Sequence, residues 1–187
     1  MLAQDGAATV TGMNVMLGDR SRFGAELGAP GPLRRVDLWA AGRWLTCDDN
    51  MAYVPQFRRD VLAAAAGLRS GGGSPLPFPG LSPEATHRRL VRSAEDGDAS
   101  ESGYELRSRF RFLLWGPTTD NVQAHLFRDE DRLLLTLSFW REDHLLGHPA
   151  DAGAVFTAEI GAEEFTETLE ALATALAPEW HLPGRTP

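Results

Sequence analysis

Apolar and polar positions alternate most regularly between Gly103 and Arg141, and that alternation predicts three consecutive antiparallel strands. Tyr104, Leu106, Phe110, Phe112 and Leu114 interleave with Glu105, Arg107, Arg109 and Arg111, the period-two pattern of a half-buried strand. Turns are expected over Gly116–Asp120 and Asp129–Asp131. Setting Trp115 opposite Asn121, and Arg128 opposite Leu133, collects the apolar side chains on one face. They form the rows Leu114/Val122/Phe139, Phe112/Ala124/Leu137 and Phe110/Leu126/Leu135. The second face then carries Trp115, Asn121 and Trp140, next Leu113, Gln123 and Ser138, and then Arg111, His125 and Thr136. A slip of one residue would turn the apolar set into water, so the register is strongly specified.

Elsewhere the pattern predicts shorter elements. Val10–Leu17 and Arg22–Leu27 are strand-like on either side of Gly18-Asp19, after a loose terminus over Met1–Ala8. Val36–Ala40 and Trp44–Cys47 flank Ala41-Gly42 as a hairpin. Val54, Phe57, Val61, Ala65 and Leu68 recur at helical spacing, with Pro55 tolerated in the first turn. Ser82-Pro83-Glu84 opens a second helix, to about Asp96, with a capping hydroxyl, a first-turn proline and an acid. Ala154, Phe156, Ala158 and Ile160 alternate as a further strand. Phe165, Leu169, Leu172 and Leu176 mark one face of a last helix, which Pro178 would stop. These elements predict an α+β fold, an antiparallel sheet including the three-strand meander over 103–141, packed on about three helices. Residues 1–187 are expected to form a single domain, with a Gly/Pro/Ser-rich loop at 70–81 as the one plausible internal boundary.

Composition narrows the chemistry. The 43% hydrophobic and 24% charged fractions are those of an ordinary globular chain. With neither a signal peptide nor an apolar stretch of membrane-spanning length in the sequence, the cytoplasm is the expected location, with no membrane contact. The one cysteine, Cys47, leaves no intramolecular disulfide. All 18 basic residues are arginine, which removes the P-loop lysine, the Schiff-base lysine and the lysine general base. From Glu142 onward nine acids face Arg185 alone, so this segment carries the chain's whole net charge of −8. That distribution argues against nucleic-acid binding and suits either solubility or a basic protein partner.

Candidate sites follow from these placements. Trp115 and Trp140 are predicted at one end of the sheet, beside Asp120, Arg141 and Glu142, as aromatic anchors with a charged rim. Packing under a helix or the N-terminal strands is the alternative for that face, with Leu113, Phe127 and Leu134 in its favour. Arg107, Arg109 and Arg111, with His125 nearby, form a basic stripe that is either a solvated face or an anion site. Glu163, Glu167 and Glu170 form an acidic stripe along the last helix, suited to its dipole or to a basic protein. His144 and His148 have the spacing of a metal pair, but Gly147 and Pro149 make the segment loop-like, so no metal site is expected. No cofactor or catalytic residue is expected either. There is no G-x-S-x-G elbow, and Asp48 and Asp49 oppose activation of the Cys47 thiol.

The run Val15-Met16-Leu17-Gly18-Asp19-Arg20-Ser21-Arg22-Phe23-Gly24-Ala25-Glu26 resembles the opening of a family of bacterial polymorphic-toxin immunity proteins, the one numbered forty-two. The likeness continues through Trp39, Gly42, Trp44, Asp48-Asp49-Asn50 and the Val54–Leu68 segment, the first third of the chain. Trp115-Gly-Pro-Thr-Thr-Asp-Asn121 and Ser138-Phe-Trp-Arg-Glu142 resemble motifs of uncharacterised actinobacterial proteins, and the Gly/Pro insertion at 70–81 departs from the family pattern. The resemblance implies a small cytosolic protein that binds and neutralises a cognate toxin without catalysis. Two other expectations stand beside it: an enzyme without a linear motif, using His125 or His144, and a structural or assembly subunit that oligomerises through the sheet's second face.

Overall fold

A computed structural model describes residues 15–95 and 101–177. The expected loose terminus, residues 10–14 of the first expected strand, and Pro178 lie outside the described residues. The architecture is α+β, with two antiparallel sheets and five α-helices among the described residues. The first sheet is built from β1 (Val15–Asp19), β2 (Phe23–Leu27), β3 (Leu33–Ala40), β4 (Arg43–Trp44) and β5 (Met51–Tyr53). As expected, β1 and β2 form a tight hairpin, and β3 and β4 form another around Ala41-Gly42, although its second strand stops at Trp44 and not at Cys47. The N-terminal half of β3 pairs with β5 instead, Leu33 lying opposite Tyr53.

Helix α1 (Val54–Arg69) follows directly, with a proline in its first turn, and buries Val54, Phe57, Val61, Ala65 and Leu68 as its spacing predicts. Helix α2 (Pro83–Glu95) and helix α3 (Glu101–Phe110) precede the second sheet. That sheet orders β6 (Arg111–Phe112), β7 (Val122–Asp129), β8 (Arg132–Phe139) and β9 (Phe156–Gly161) as a meander. Between β8 and β9 lies the short helix α4 (Glu142–Gly147), and α5 (Ala162–Ala175) ends the described chain. The expected register holds wherever these strands pair. Val122 faces Phe139, Ala124 faces Leu137, Arg128 faces Leu133, and Arg111 and Phe112 face His125 and Ala124.

The first meander strand needs correcting over 103–110, where the chain is helical. Its alternation fails at Ser108, and Leu106 with Phe110 is equally an i, i+4 pair on one helix face. That pair packs with Leu90 of α2 and Phe127 of β7 into a small cluster, while Tyr104 faces solvent. The edge of β7 left unpaired is taken by the Gly/Pro loop: the Arg128 N–H donates to the Ser74 carbonyl at 2.8 Å, and Leu76 and Phe78 join the same cluster. The loop at 70–81 is therefore packed onto the second sheet.

The main core joins residues of both sheets with the buried faces of α1 and α5, and it draws residues from both sides of that loop. Phe165, Leu169 and Leu172 of α5 are fully buried there, as the last helix's pattern predicts. The other face of the second sheet is covered by α2 and α3, so this sheet is enclosed on both sides where the sequence placed helices on one.

Gly73 is where the loop approaches β7 most closely. Its φ is +110°, and a Cβ there would lie 2.8 Å from the Arg128 Cβ. Both the backbone conformation and the contact exclude a side chain. Gly73→Ala is expected to lower the unfolding free energy by about 1–3 kcal/mol in a urea titration. Gly67→Ala, in α1 with open space around it, should raise it by about 0.5 kcal/mol.

Candidate functional site

Residues 113–116 decide which aromatic side chains reach the surface. Leu113 has a φ of +57°, and this reversal breaks the strand alternation after Phe112. Leu113 and Trp115 turn into the core, and Leu114 turns out. Gly116, at φ 87° and ψ −165°, occupies backbone space that essentially only glycine enters, and starts a short 3-10 turn over Pro117–Thr119. The Thr119 hydroxyl receives the Trp115 N–H at 3.1 Å and donates to the Gly116 carbonyl at 3.2 Å, which locks the reversal.

The expected placement of Trp115 and Trp140 side by side on one face of the sheet is thereby overturned, and packing holds for Trp115 alone. Trp115 is 5% exposed and packs edge-on against Phe23, Phe57 and Phe112. Trp140 is 53% exposed, and its apolar neighbour is Leu114, 60% exposed where the row reading buried it with Val122 and Phe139. Leu114 and Trp140 share the wall of a cleft of ≈ 270 Å³ with Arg107, Arg111, Asp120 and Gln123. Trp140 also lines a second cleft with Val91, Leu145 and Val155. Arg141 lies 3.7 Å from Asp120 across this end, and Glu142 is exposed in the first turn of α4. Of the predicted group, Asp120, Trp140, Arg141 and Glu142 are thus together, and Trp115 is buried in the main core.

The acidic stripe lies elsewhere, on α5. Glu163 and Glu167 are exposed, and Glu170 binds Arg69 of α1 with a closest contact of 2.7 Å. Glu164, which the stripe omitted, binds Arg22 at 2.6 Å. Part of the acidity therefore tethers α5 to its neighbours, and exposed pairs of this kind contribute about 0–1 kcal/mol each.

His125 is buried, and so is His87 of α2, which sequence reasoning missed within an Arg-rich helix of weak apolar pattern. The His87 Nδ1 lies 3.1 Å from the His125 Nδ1 and 3.0 Å from the Thr136 hydroxyl, and its Nε2 lies 2.9 Å from the Ser138 hydroxyl. Together with the Thr157 hydroxyl, which donates to Glu84 at 2.7 Å, these contacts dock α2 on the sheet through polar groups. Burial, then the Arg88 charge, brings the His87 pKa down to about 4. Burial, then His87 and Arg111, brings that of His125 down to about 3. Both rings are neutral at pH 7, and their contacts serve packing.

His144 is 4% exposed and stacks on Phe139, with ring centroids 3.9 Å apart. Its ring also stacks on that of His148, so the two imidazoles lie face to face and do not converge on one point. Instead its Nδ1 faces the Cys47 Sγ at 3.4 Å and the Asp48 Oδ1 at 3.5 Å, and its Nε2 faces the Asp151 Oδ2 at 3.1 Å. The loop holding Cys47 and Asp48 bulges from the edge of β3. There the Thr46 hydroxyl bonds to the Leu38 N–H and the Val36 carbonyl in place of a strand partner. Burial, then the Asp48 charge, pushes the Cys47 thiol up to about 11, which removes it as a nucleophile in the protein alone. Nothing local in the sequence joins Cys47 to a histidine 97 residues away.

No protein-family model matches the chain, and no curated protein does. Among solved structures, the fold is similar to CdiI from Burkholderia dolosa, with a TM-score of 0.60 at 11% identity. The match covers 86% of this chain and 99% of that one. Among the described residues, no helix is long and apolar enough to cross a membrane.

The buried histidines predict an acid-sensitive fold. Below about pH 6.5 the unfolded chain binds protons that His87 and His125 refuse when folded, so stability falls as pH falls. The loss runs from about pH 6.5 towards 4 for His87 and towards 3 for His125. Urea midpoints should drop measurably between pH 7.5 and pH 5, and a midpoint that stays flat over this window contradicts the assignment.

Proposed function

We propose that the chain is a non-enzymatic immunity protein that binds and neutralises a cognate toxin in the cytoplasm. The observation that carries this reading is the backbone shared with CdiI over nearly all of that chain. CdiI is an immunity protein of contact-dependent inhibition. The resemblance of residues 15–68 to a polymorphic-toxin immunity family points to the same class by a separate route.

In this proposal the toxin docks at the Trp140 end. Two exposed apolar side chains, Trp140 and Leu114, stand beside clefts and are rimmed by Asp120, Arg141 and Glu142. An apolar centre inside a charged rim is the usual anatomy of a protein-binding hot spot, with tryptophan its most frequent anchor. Glu163 and Glu167 play a different part: exposed charge of one sign speeds the approach of a basic toxin domain.

The test is binding of the toxin domain encoded beside this protein's gene, measured by calorimetry and surface kinetics. Trp140→Ala should weaken binding by about 2 kcal/mol or more, roughly 30-fold, mainly through faster dissociation. Reversing Glu163 and Glu167 to arginine should slow association and reduce its salt dependence, with dissociation unchanged. Undiminished affinity in Trp140→Ala would remove the proposed docking site, and absence of binding by the unaltered chain would remove the reading itself.

A further inference from the structure

Cys47, Asp48 and His144 present three different metal-ligating atoms to one point, from two segments far apart in the chain. The Cys47 Sγ, Asp48 Oδ1 and His144 Nδ1 form a triangle with sides of 3.4, 3.5 and 3.6 Å. We propose that this triangle is a binding site for one divalent transition-metal ion of the zinc type.

The dimensions support it. A tetrahedral ion with a metal–sulfur distance of about 2.3 Å, and metal–nitrogen and metal–oxygen distances of about 2.0–2.1 Å, separates its ligand atoms by roughly 3.3–3.6 Å. The three observed sides fall within that range, which makes the triangle one face of such a tetrahedron. A thiolate with an imidazole and a carboxylate selects zinc or cobalt over magnesium or calcium, which prefer oxygen alone.

The surroundings agree. The second nitrogen of His144 meets the Asp151 carboxylate, the arrangement that orients a metal-bound imidazole and raises its basicity. Asp151 is itself held by Arg43 at 3.5 Å. Asn121, buried, donates its Nδ2–H to the Cys47 Sγ at 3.5 Å, while its Oδ1 is a buried acceptor without a partner. The Phe139 stack fixes the imidazole plane. Asp48 keeps 28% of its side chain exposed, which leaves the ion a path from solvent.

On binding, the Cys47 S–H bond breaks, its proton goes to solvent and the sulfur lone pair bonds the ion. The ion then links the loop after β4 to α4, two residues beyond Trp140. The same atoms also resemble a cysteine–histidine–aspartate nucleophile. Asp48, 3.6 Å from the sulfur, repels a bare thiolate but coordinates a cation, which favours the metal.

The test uses the full reduced chain, stripped with chelator and titrated with Zn²⁺ or Co²⁺. One equivalent should bind, with a sulfur-to-cobalt charge-transfer band in the near ultraviolet and a raised melting temperature. Cys47→Ser should abolish the band. Asp151→Asn, at a positioning residue, should keep the band and weaken zinc binding about 10–100-fold. Zinc should also block alkylation of Cys47 by iodoacetamide in the unaltered chain, a readout that needs no variant to fold. Zinc affinity unchanged in Cys47→Ser overturns the proposal. So does fast alkylation at neutral pH that zinc does not slow, which would mark Cys47 as a nucleophile.

Discussion

Phe165 of α5 lies edge-on to Phe23 of the first sheet at 4.8 Å and tilted against Phe112 of the second at 5.6 Å. Trp115 closes the cluster against Phe23, Phe57 and Phe112. The two sheets share one core through this contact, and the path of the chain around it is set accordingly. To bring Trp115 inward the backbone reverses at Leu113, a conformation that costs a non-glycine residue roughly 1–2 kcal/mol. Burying Leu113 and the Trp115 ring gains about 1.5–3 kcal/mol each, which exceeds that strain. The reversal has an outward consequence. It exposes Leu114 beside Trp140 and so creates the apolar surface on which a partner is proposed to dock.

Elements whose signals are local were legible in the sequence. The hairpins of the first sheet, α1, α5 and the pairing of β7 with β8 each rest on periodicity and turn residues within a short window. Helix α3 was not, because Leu106 and Phe110 satisfy both a period of two and a spacing of four. The arbiter was the loop at 70–81, which takes the edge of β7 through Ser74 and Arg128. A contact between residues 54 positions apart leaves no trace in either segment alone.

The candidate site was legible in part for the same reason. Asp120, Trp140 and Arg141 flank turns and strand ends whose register was predictable, and they lie together. Trp115 was misplaced because its position depends on a positive φ at a leucine, for which no residue type signals. The Cys47–Asp48–His144 triangle depends on the bulge at Thr46 and on α4 folding back under Phe139, and both are tertiary events.

The loop after β4 and helix α4 meet at the triangle, and α4 begins just past Trp140. The proposed metal site and the proposed docking surface are therefore neighbours. In the proposed complex a toxin covers the Trp140 end. Backbone hydrogen exchange of the chain, alone and saturated with the toxin domain encoded beside it, tests that claim most directly. Slowed exchange is expected over residues 114–121 and 140–147, with α5 unchanged. Protection confined to α5, with the Trp140 end exchanging as in the free chain, would contradict it.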